Sequence, residues 1–203
     1  MKRLFTFGCS FTSYPWPTWA DILGKTFEHY ENWGQSGAGN QYIFNSLVEC
    51  NTRNRLTADD TVIIMWTNVA REDRYVNERW LTPGNIYTQN EYDAEFVKKF
   101  SDDRGYLIRD FATISATIDL LDKWGVNYDF LSMIPIDKVD QYSNKTSSED
   151  QDVIDLYSDI FKKIKPSVYE IVFNFDYHRG KVTNNMDDEL LTFKYSLLAP
   201  LNR

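Results

Sequence analysis

One segment limits the fold of this chain more than any other. Residues 61–66 read TVIIMW, a run that is rich in β-branched side chains and apolar at both odd and even positions. A strand with one face in water alternates apolar and polar residues, whereas a continuous apolar run is typical of a strand covered on both faces. Such strands occur mainly in parallel sheets flanked by helices. The segment therefore predicts a central strand of an α/β protein.

Strand-like and helix-like patterns alternate along the rest of the chain. Strands are predicted at residues 4–7, 27–34, 61–66, 126–136 and 169–175. Helices are predicted at residues 16–25, 40–48, 103–124 and 152–164. This alternation favours a doubly wound fold, in which helices cover both faces of a parallel sheet. We expect a three-layer α/β/α domain with a flavodoxin-like strand order, in which the first strand lies between the second and third.

Length and composition predict one domain. The chain has 203 residues, of which 42% are hydrophobic, and this is enough for one full-sized core but not for two. We therefore expect residues 1–203 to form one domain. Residues 67–100 are polar and aromatic, lack a steady period and contain Pro83-Gly84, so we interpret them as an insertion or lid.

Charge and motifs exclude several kinds of partner. The net charge of -8 disfavours nucleic acid, whose phosphates are bound by Lys and Arg. The glycine-rich segment GQSGAGN lacks the dinucleotide fingerprint and has no P-loop lysine after it, and the two cysteines lack metal spacing, so no cofactor or metal is expected. The apolar run after Met1 is too short for a signal peptide or a membrane span. We expect no membrane partner and a cytoplasmic location.

Three predicted strands end in short polar or glycine-rich loops. The loops contain Ser10 after Gly8, Gly37 within GQSGAGN, and Asn68 after the central strand. Because the carboxyl ends of parallel strands meet at one edge of the sheet, these loops are expected to open on one crevice. They would bring together a hydroxyl, backbone N–H groups and a carboxamide, which are the groups that acyl transfer needs as nucleophile and oxyanion donors.

The same three blocks resemble the SGNH, or GDSL-like, hydrolases. The blocks are FTFGCSFT, NWGQSGAGN and IIMWTNVARE, in that order. Gly8-Cys9-Ser10 stands where many members of the family have Gly-Asp-Ser, and the first block is most similar to a phage and environmental branch that begins Gly-Cys-Ser-Phe-Thr. The likeness covers residues 3–72 in detail and residues 100–175 through the order of elements.

The resemblance implies a role for each matching residue. Ser10 takes the position of the nucleophile, and Gly37 and Asn68 take the positions that, with the Ser10 backbone N–H, form the oxyanion hole. The family also carries an Asp-x-x-His motif in a C-terminal loop, whose histidine is the general base and whose aspartate orients it.

The last of these motifs does not match. The chain has two histidines, His29 and His178, and Asp176 precedes His178 by two positions instead of three. On an extended segment, residues two apart point to the same face, so Asp176 and His178 can interact. We take this pair as the candidate base and its partner. The departure predicts a divergent or truncated C-terminal part after about residue 176.

Other interpretations of these residues stay open. Ser10 and Asn68 are also typical loop residues that cap neighbouring backbone groups. Arg71 and Arg74 could bind a carboxylate or phosphate of a substrate, although the neighbouring Glu72 and Asp73 favour an ordinary surface ion-pair network. The aromatic residues of the insertion either stack on sugar rings or cover the core; they are Tyr75, Trp80, Tyr87 and Tyr92.

The sequence thus predicts a serine esterase or acyl hydrolase that acts on an O-acyl ester of a small molecule or glycan. The alternative is a non-catalytic protein that keeps this fold as a binding or structural module, for example in a phage particle. The mismatch in the Asp-x-x-His block favours the alternative.

Overall fold

A computed structural model describes residues 2–87, 91–137 and 150–174 of the chain. The strands are Arg3–Phe7 (β1), His29–Asn32 (β2), Asp60–Trp66 (β3), Arg74–Val76 (β4), Arg79–Leu81 (β5) and Asn127–Ser132 (β6). The helices are Trp19–Gly24 (α1), Asn40–Asn54 (α2), Ala94–Phe100 (α3), Asp103–Trp124 (α4), Gln151–Leu156 (α5), Ser158–Phe161 (α6) and Val168–Asn174 (α7).

The central sheet has the expected order. Its four strands run β2-β1-β3-β6, and every neighbouring pair is parallel. Strand β1 therefore lies between β2 and β3, and the prediction of a flavodoxin-like order is confirmed. All four carboxyl ends point to one edge of the sheet, which is where loops can combine their side chains into a site.

Helices cover both faces of the sheet. On one face, Val62 and Ile64 of β3 pack in a large core with apolar residues of α2 and α4. On the other face, Ile63 and Met65 pack in a smaller core that includes residues of α1 and Val168 of α7. Strand β3 is therefore covered on both faces, as its sequence predicts, and the three-layer α/β/α architecture is confirmed.

The long helix α4 has a capping residue at each end, Asp102 and Gly125. At its start, the Asp102 carboxylate accepts a hydrogen bond from the Gly105 backbone N–H, which satisfies one of the first-turn donors. At its end, Gly125 adopts a left-handed conformation with φ of 71°, which glycine enters at little cost. The prediction of a helix at residues 103–124 is correct.

The prediction of a strand at residues 169–175 is wrong. The chain forms α7 there, from Val168 to Asn174. Ser167 and Glu170 make a reciprocal cap, in which the Ser167 backbone N–H donates to the Glu170 carboxylate at 2.9 Å and the Glu170 N–H donates to the Ser167 hydroxyl at 3.1 Å. This capping box starts a helix in an apolar run whose period is ambiguous.

A single bridge lies at the edge of the sheet beside β6. Ile164 forms an isolated parallel bridge with Phe130, and the Lys165 N–H donates to the Phe130 carbonyl at 3.0 Å. These two residues pair with β6 over a single bridge, and Pro166 then leads into α7. The helix predicted at 152–164 is present only as far as Phe161, in two short pieces with a turn at Tyr157 between α5 and α6. Ile164 pairs with β6 instead.

The segment after β3 contains a hairpin and a short helix. Strands β4 and β5 pair antiparallel across a turn in which Asn77 and Glu78 have φ of 49° and 62°, and α3 follows. Among the helices of the described ranges, none has the length and apolar character needed to cross a membrane.

The capping box of α7 gives a test of the fold. Replacing Ser167 with Ala removes the two bonds of its hydroxyl at a buried position, the one accepted from the Glu170 N–H and the one donated to the Glu170 carboxylate, so we expect the free energy of unfolding to fall by about 1 kcal/mol. The measurement is urea unfolding. Ser158, the exposed first residue of α6, is the control, and Ser158→Ala should change stability by less than about 0.5 kcal/mol. Equal effects of the two changes would contradict the role of the cap.

Candidate active site

The loop after β1 presents Ser10 on a tight turn. The N–H groups of Thr12 and Ser13 both donate to the Cys9 carbonyl, at 2.8 and 3.0 Å, while the Cys9 side chain is fully buried in the core. A Cβ atom on Gly8 would lie 2.1 Å from Thr12 Oγ1, so only glycine fits before the turn. Ser10 is half-buried, and neither its hydroxyl nor its N–H bonds to any residue of the described ranges.

The loop after β2 lies against the first loop. The Gln35 N–H donates to the Gly8 carbonyl at 3.0 Å, and the Asn32 side chain donates to the Thr12 carbonyl at 2.8 Å. In the same loop, Gly37 has φ of 77°, a conformation that favours glycine. Within the described part of the chain, the Gly37 N–H has no acceptor.

The hairpin of β4 and β5 packs directly on Gly37. A Cβ atom there would lie 2.0 Å from the Thr82 carbonyl oxygen. The Thr82 hydroxyl donates to the Ser36 carbonyl at 2.9 Å and accepts from Gln35 Nε2 at 2.9 Å. Close packing and backbone conformation therefore both require glycine at position 37.

In the loop after β3, the Asn68 carboxamide is hydrogen-bonded to the described residues through its oxygen alone. Asn68 is 5% exposed, and its Oδ1 accepts from Arg71 Nε at 2.6 Å. The amide NH₂ donates to no residue that the structure describes. Just before it, Thr67 exchanges two bonds with Asn40, since the Thr67 N–H donates to Asn40 Oδ1 at 2.9 Å and Asn40 Nδ2 donates to the Thr67 carbonyl at 3.2 Å.

The second and third loops are joined by a buried carboxylate. Asp73 accepts from the Gly39 N–H at 2.9 and 3.0 Å and from the Tyr42 N–H at 2.9 Å, so it caps the first turn of α2. Burial raises the pKa of Asp73, while these N–H donors and nearby arginines act in the opposite direction. Arg71 Nη1 also donates to the Ala38 carbonyl at 2.8 Å. The two loops are therefore bonded directly to each other.

The structure places Ser10, Gly37 and Asn68 on neighbouring strand ends at the carboxyl edge. It does not place the proposed base, because Asp176 and His178 lie outside the described residues. The other histidine, His29, is the first residue of β2 and contacts Glu31 at 3.0 Å. It therefore lies at the amino edge of the sheet, about one strand length from Ser10.

A cavity of about 440 Å³ opens beside Ser10. Its apolar lining consists of Phe11, Tyr14, Trp16, Trp19, Met65 and Val168, which come from the first loop, α1, β3 and the start of α7. The Thr18 hydroxyl in the same wall already donates to the Thr12 carbonyl at 2.6 Å. Ser10 is thus a polar group without a partner at the rim of an apolar cavity.

Several residues that shape the site were missed or interpreted differently from sequence. Arg74 and Glu72 do form a surface ion pair at 3.1 Å, as expected for that stretch. Arg71 and Asp73 instead turn inward and bond to residues more than thirty positions earlier in the chain. Nothing local in the sequence marks such long-range contacts.

The described ranges contain no cluster of three or more His, Cys, Asp or Glu side chains suited to a metal ion.

No protein-family profile and no curated protein matches the sequence. Among solved structures, the chain is similar to a member of the lipolytic protein G-D-S-L family from Veillonella parvula, with 14% identity over 98% of each chain and a TM-score of 0.48. It is also similar to a psychrotrophic esterase from a Pseudoalteromonas species, with 10% identity over 90% of this chain and 85% of that chain and a TM-score of 0.45. A third is a mutant acetyl-xylooligosaccharide esterase from a Geobacillus species, with 15% identity over 79% and 69% of the two chains and a TM-score of 0.39. At these identities and scores, the chemistry of the site rests on its own contacts.

A buried carboxyl behind the site makes stability depend on pH. Burial raises the pKa of Asp110 to about 6, although Arg109 and Asn40 bond to its charged form. This value lies above 3.8, the ordinary pKa of the carboxyl, so the folded state binds the proton more tightly than the unfolded state does. As pH rises from about 4 to about 7 the carboxyl loses that proton, and the free energy of unfolding falls.

Replacing Asp110 with Asn should remove that dependence. Relative to the variant, we expect the wild type to lose roughly 1 to 3 kcal/mol between pH 4 and pH 7, measured by urea unfolding at each pH. Asp119 is exposed on the same helix, so Asp119→Asn is the matched control and should follow the wild-type profile. Parallel profiles for wild type and Asp110→Asn would rule out Asp110 as the source.

Proposed function

We propose that this chain is a serine esterase that cleaves an O-acyl ester, with Ser10 as nucleophile. The observation that carries the proposal is the unpartnered Ser10 hydroxyl, which lies on a tight turn at the rim of an apolar cavity. Unpartnered donors on the two neighbouring loops, the Gly37 N–H and the Asn68 NH₂, supply what a developing oxyanion requires. The resemblance of the three loop sequences to SGNH hydrolases supports the same chemistry.

The reaction divides between the residues as follows. Ser10 Oγ attacks the acyl carbonyl carbon, its proton passes to the base, and the carbonyl oxygen becomes an oxyanion. The Ser10 and Gly37 N–H groups and the Asn68 amide stabilise that charge. The alcohol leaves with the proton, and water then attacks the acyl-serine ester, again through an oxyanion. As water attacks, it gives a proton to the base. The bond between the acyl carbon and Ser10 Oγ then breaks, the base returns the proton to Oγ, and the carboxylic acid is released.

His178 is the proposed base, and Asp176 is proposed to orient it. Val168, the first residue of α7, lines the cavity beside Ser10. The seven residues of this helix rise about 10 Å, and the four residues that follow, up to His178, reach up to about 14 Å. The length of chain is therefore sufficient to bring His178 back to the cavity.

The cavity favours an apolar acyl group. Its described lining offers apolar side chains from several elements, whereas the Thr18 hydroxyl is already bonded. Most of the surface of this wall is apolar, which favours an acyl chain over a hydroxyl-rich sugar ring. We therefore assign the acyl part of the ester to the cavity and the alcohol part, a small molecule or a carbohydrate, to the open side of Ser10.

A second candidate is a non-catalytic binding module with the same fold. It is favoured by one observation, which is that the described ranges contain no histidine near Ser10. His29 lies at the opposite edge and contacts Glu31. In that case the apolar cavity binds a ligand without cleaving it.

Hydrolysis of p-nitrophenyl acetate tests the nucleophile. We expect Ser10→Ala to lower kcat by about 10³-fold or more, because the other hydroxyl residues of the turn, Thr12 and Ser13, do not line the cavity. Ser13→Ala, on the same turn, is the control and should retain activity. His178→Ala should lose activity to a similar degree if His178 is the base. Equal rates for wild type and Ser10→Ala would remove Ser10 from the mechanism, and no turnover by the wild type would favour the binding module.

The apolar cavity predicts a preference for longer acyl chains. Trp16 is 65% exposed at the mouth of the cavity and its ring lies 4.1 Å from that of Tyr14. An octanoyl chain would cover this surface, so Trp16→Ala should lower kcat/KM for p-nitrophenyl octanoate by about 5- to 20-fold and change the value for the acetate little. Tyr75→Ala, exposed on the hairpin, is the control. A similar loss with both esters would contradict an acyl-binding cavity.

A further inference from the structure

The Arg71 side chain bonds to two loops, the loop after β3, to which it belongs and which carries Asn68, and the loop after β2, which carries Gly37. Its Nε donates to Asn68 Oδ1 at 2.6 Å, and its Nη1 donates to the Ala38 carbonyl at 2.8 Å. A single guanidinium therefore holds both loops. Arg71 is half-buried and has no carboxylate partner within salt-bridge distance in the described ranges.

The backbone of Arg71 is itself held in place. Its carbonyl accepts from Arg109 Nη2 at 2.8 Å, and its N–H donates to the Val69 carbonyl at 2.8 Å. It also pairs with Asn85 in an isolated antiparallel bridge. A Cβ atom on Gly39 would lie 2.8 Å from the Arg71 Cβ, so the second loop packs against the base of this side chain. The backbone from which the guanidinium extends is thus held by hydrogen bonds and packing.

Arg71 decides which way the Asn68 carboxamide faces. A guanidinium only donates hydrogen bonds, whereas a carboxamide has an accepting oxygen and a donating NH₂. Turning the amide around would place donors against donors, so the Asn68 oxygen must face Arg71 and the NH₂ must point away from it. Among the described residues, this NH₂ group has no acceptor, which leaves it available to a bound group. An oxyanion formed at Ser10 would supply that acceptor.

The second bond of Arg71 fixes the turn that follows Gly37. The Ala38 carbonyl accepts from Arg71, and the next N–H, that of Gly39, donates to Asp73. Both sides of the peptide between Ala38 and Gly39 are therefore bonded to the loop after β3. The Gly37 N–H precedes this peptide, so its direction depends on a turn that Arg71 helps to hold.

We propose that Arg71 is a positioning residue of the oxyanion hole, which orients the Asn68 amide and the Gly37 turn and does not bind substrate. The inference rests on the proposed esterase function and deepens it. It also predicts that lysine is a poor replacement, because an ammonium cannot reproduce the planar fork that reaches both acceptors.

Steady-state kinetics on p-nitrophenyl esters separate positioning from substrate binding. We expect Arg71→Met to lower kcat by about 10- to 100-fold while KM changes less than about threefold. Arg71→Lys, which keeps a charged donor but places all its N–H groups on one nitrogen, should recover part of the loss. Arg74→Met is the matched control, since Arg74 is three residues away and pairs with Glu72 on the surface, and it should keep wild-type kcat. A rise in KM with unchanged kcat would show that Arg71 binds substrate and would overturn the proposal.

A double-mutant cycle shows whether Arg71 acts through Asn68. If it does, Asn68→Ala combined with Arg71→Met should lose little more than the larger single loss, because the second change removes support from a group that is already absent. Fully additive losses would overturn positioning through Asn68. Circular-dichroism melting of each variant identifies any loss that comes from unfolding.

A readout that needs no turnover keeps this proposal distinct from the esterase function. The two Asn68 side-chain amide protons should give separate, fixed ¹⁵N-correlated signals in the wild type and in Arg74→Met. In Arg71→Met these signals should shift and broaden as the amide reorients. Unchanged Asn68 signals in Arg71→Met overturn the proposal whether or not an ester is cleaved. Altered signals in a protein whose wild type cleaves no ester support positioning and remove the esterase.

Discussion

The site depends on the bonds between the loop after β3 and the first turn of α2. Three contacts make this tie: Thr67 with Asn40, Asp73 with the N–H groups of Gly39 and Tyr42, and Arg71 with the Ala38 carbonyl. Each satisfies a polar group that would otherwise be buried without a partner, which is costly in a dry interior. The same bonds therefore stabilise the fold and orient the polar groups of the second and third loops.

Two charged residues of α4, Arg109 and Asp110, bond to residues of the loop after β3 and of the first turn of α2. Arg109 donates to the Arg71 carbonyl at 2.8 Å and to Asp110 at 2.7 Å, and Asp110 accepts from Asn40 at 2.9 Å. Buried charges are tolerated when every bond is made, and removing one partner leaves the others unsatisfied. The network thus couples the geometry of the proposed oxyanion hole to α4. The apolar cavity beside Ser10, in contrast, is lined by Met65 and Val168 of the smaller core.

Much of the architecture followed from local patterns. The buried run in β3, the helix that ends at Gly125 and the parallel strand order were predicted correctly, because each depends on periodicity or on a capping residue near in sequence. The strand predicted at 169–175 was wrong, because an apolar run of this length fits either period and the capping box of Ser167 and Glu170 decides for a helix. The roles of Ser10, Gly37 and Asn68 stay predictions, although their placement at neighbouring strand ends agrees with the expected sheet order.

By itself, the sequence determined which residues stand at the strand ends and that a parallel sheet brings those ends to one edge, since strand direction and side-chain period are local properties. Only the tertiary structure decided how these groups are oriented. Arg71 and Asp73 turn inward, the hairpin packs on Gly37, and Val168 completes the cavity beside Ser10. These contacts join residues far apart in the chain, and their partners are selected by burial and hydrogen-bond geometry in the folded state, which no local pattern encodes.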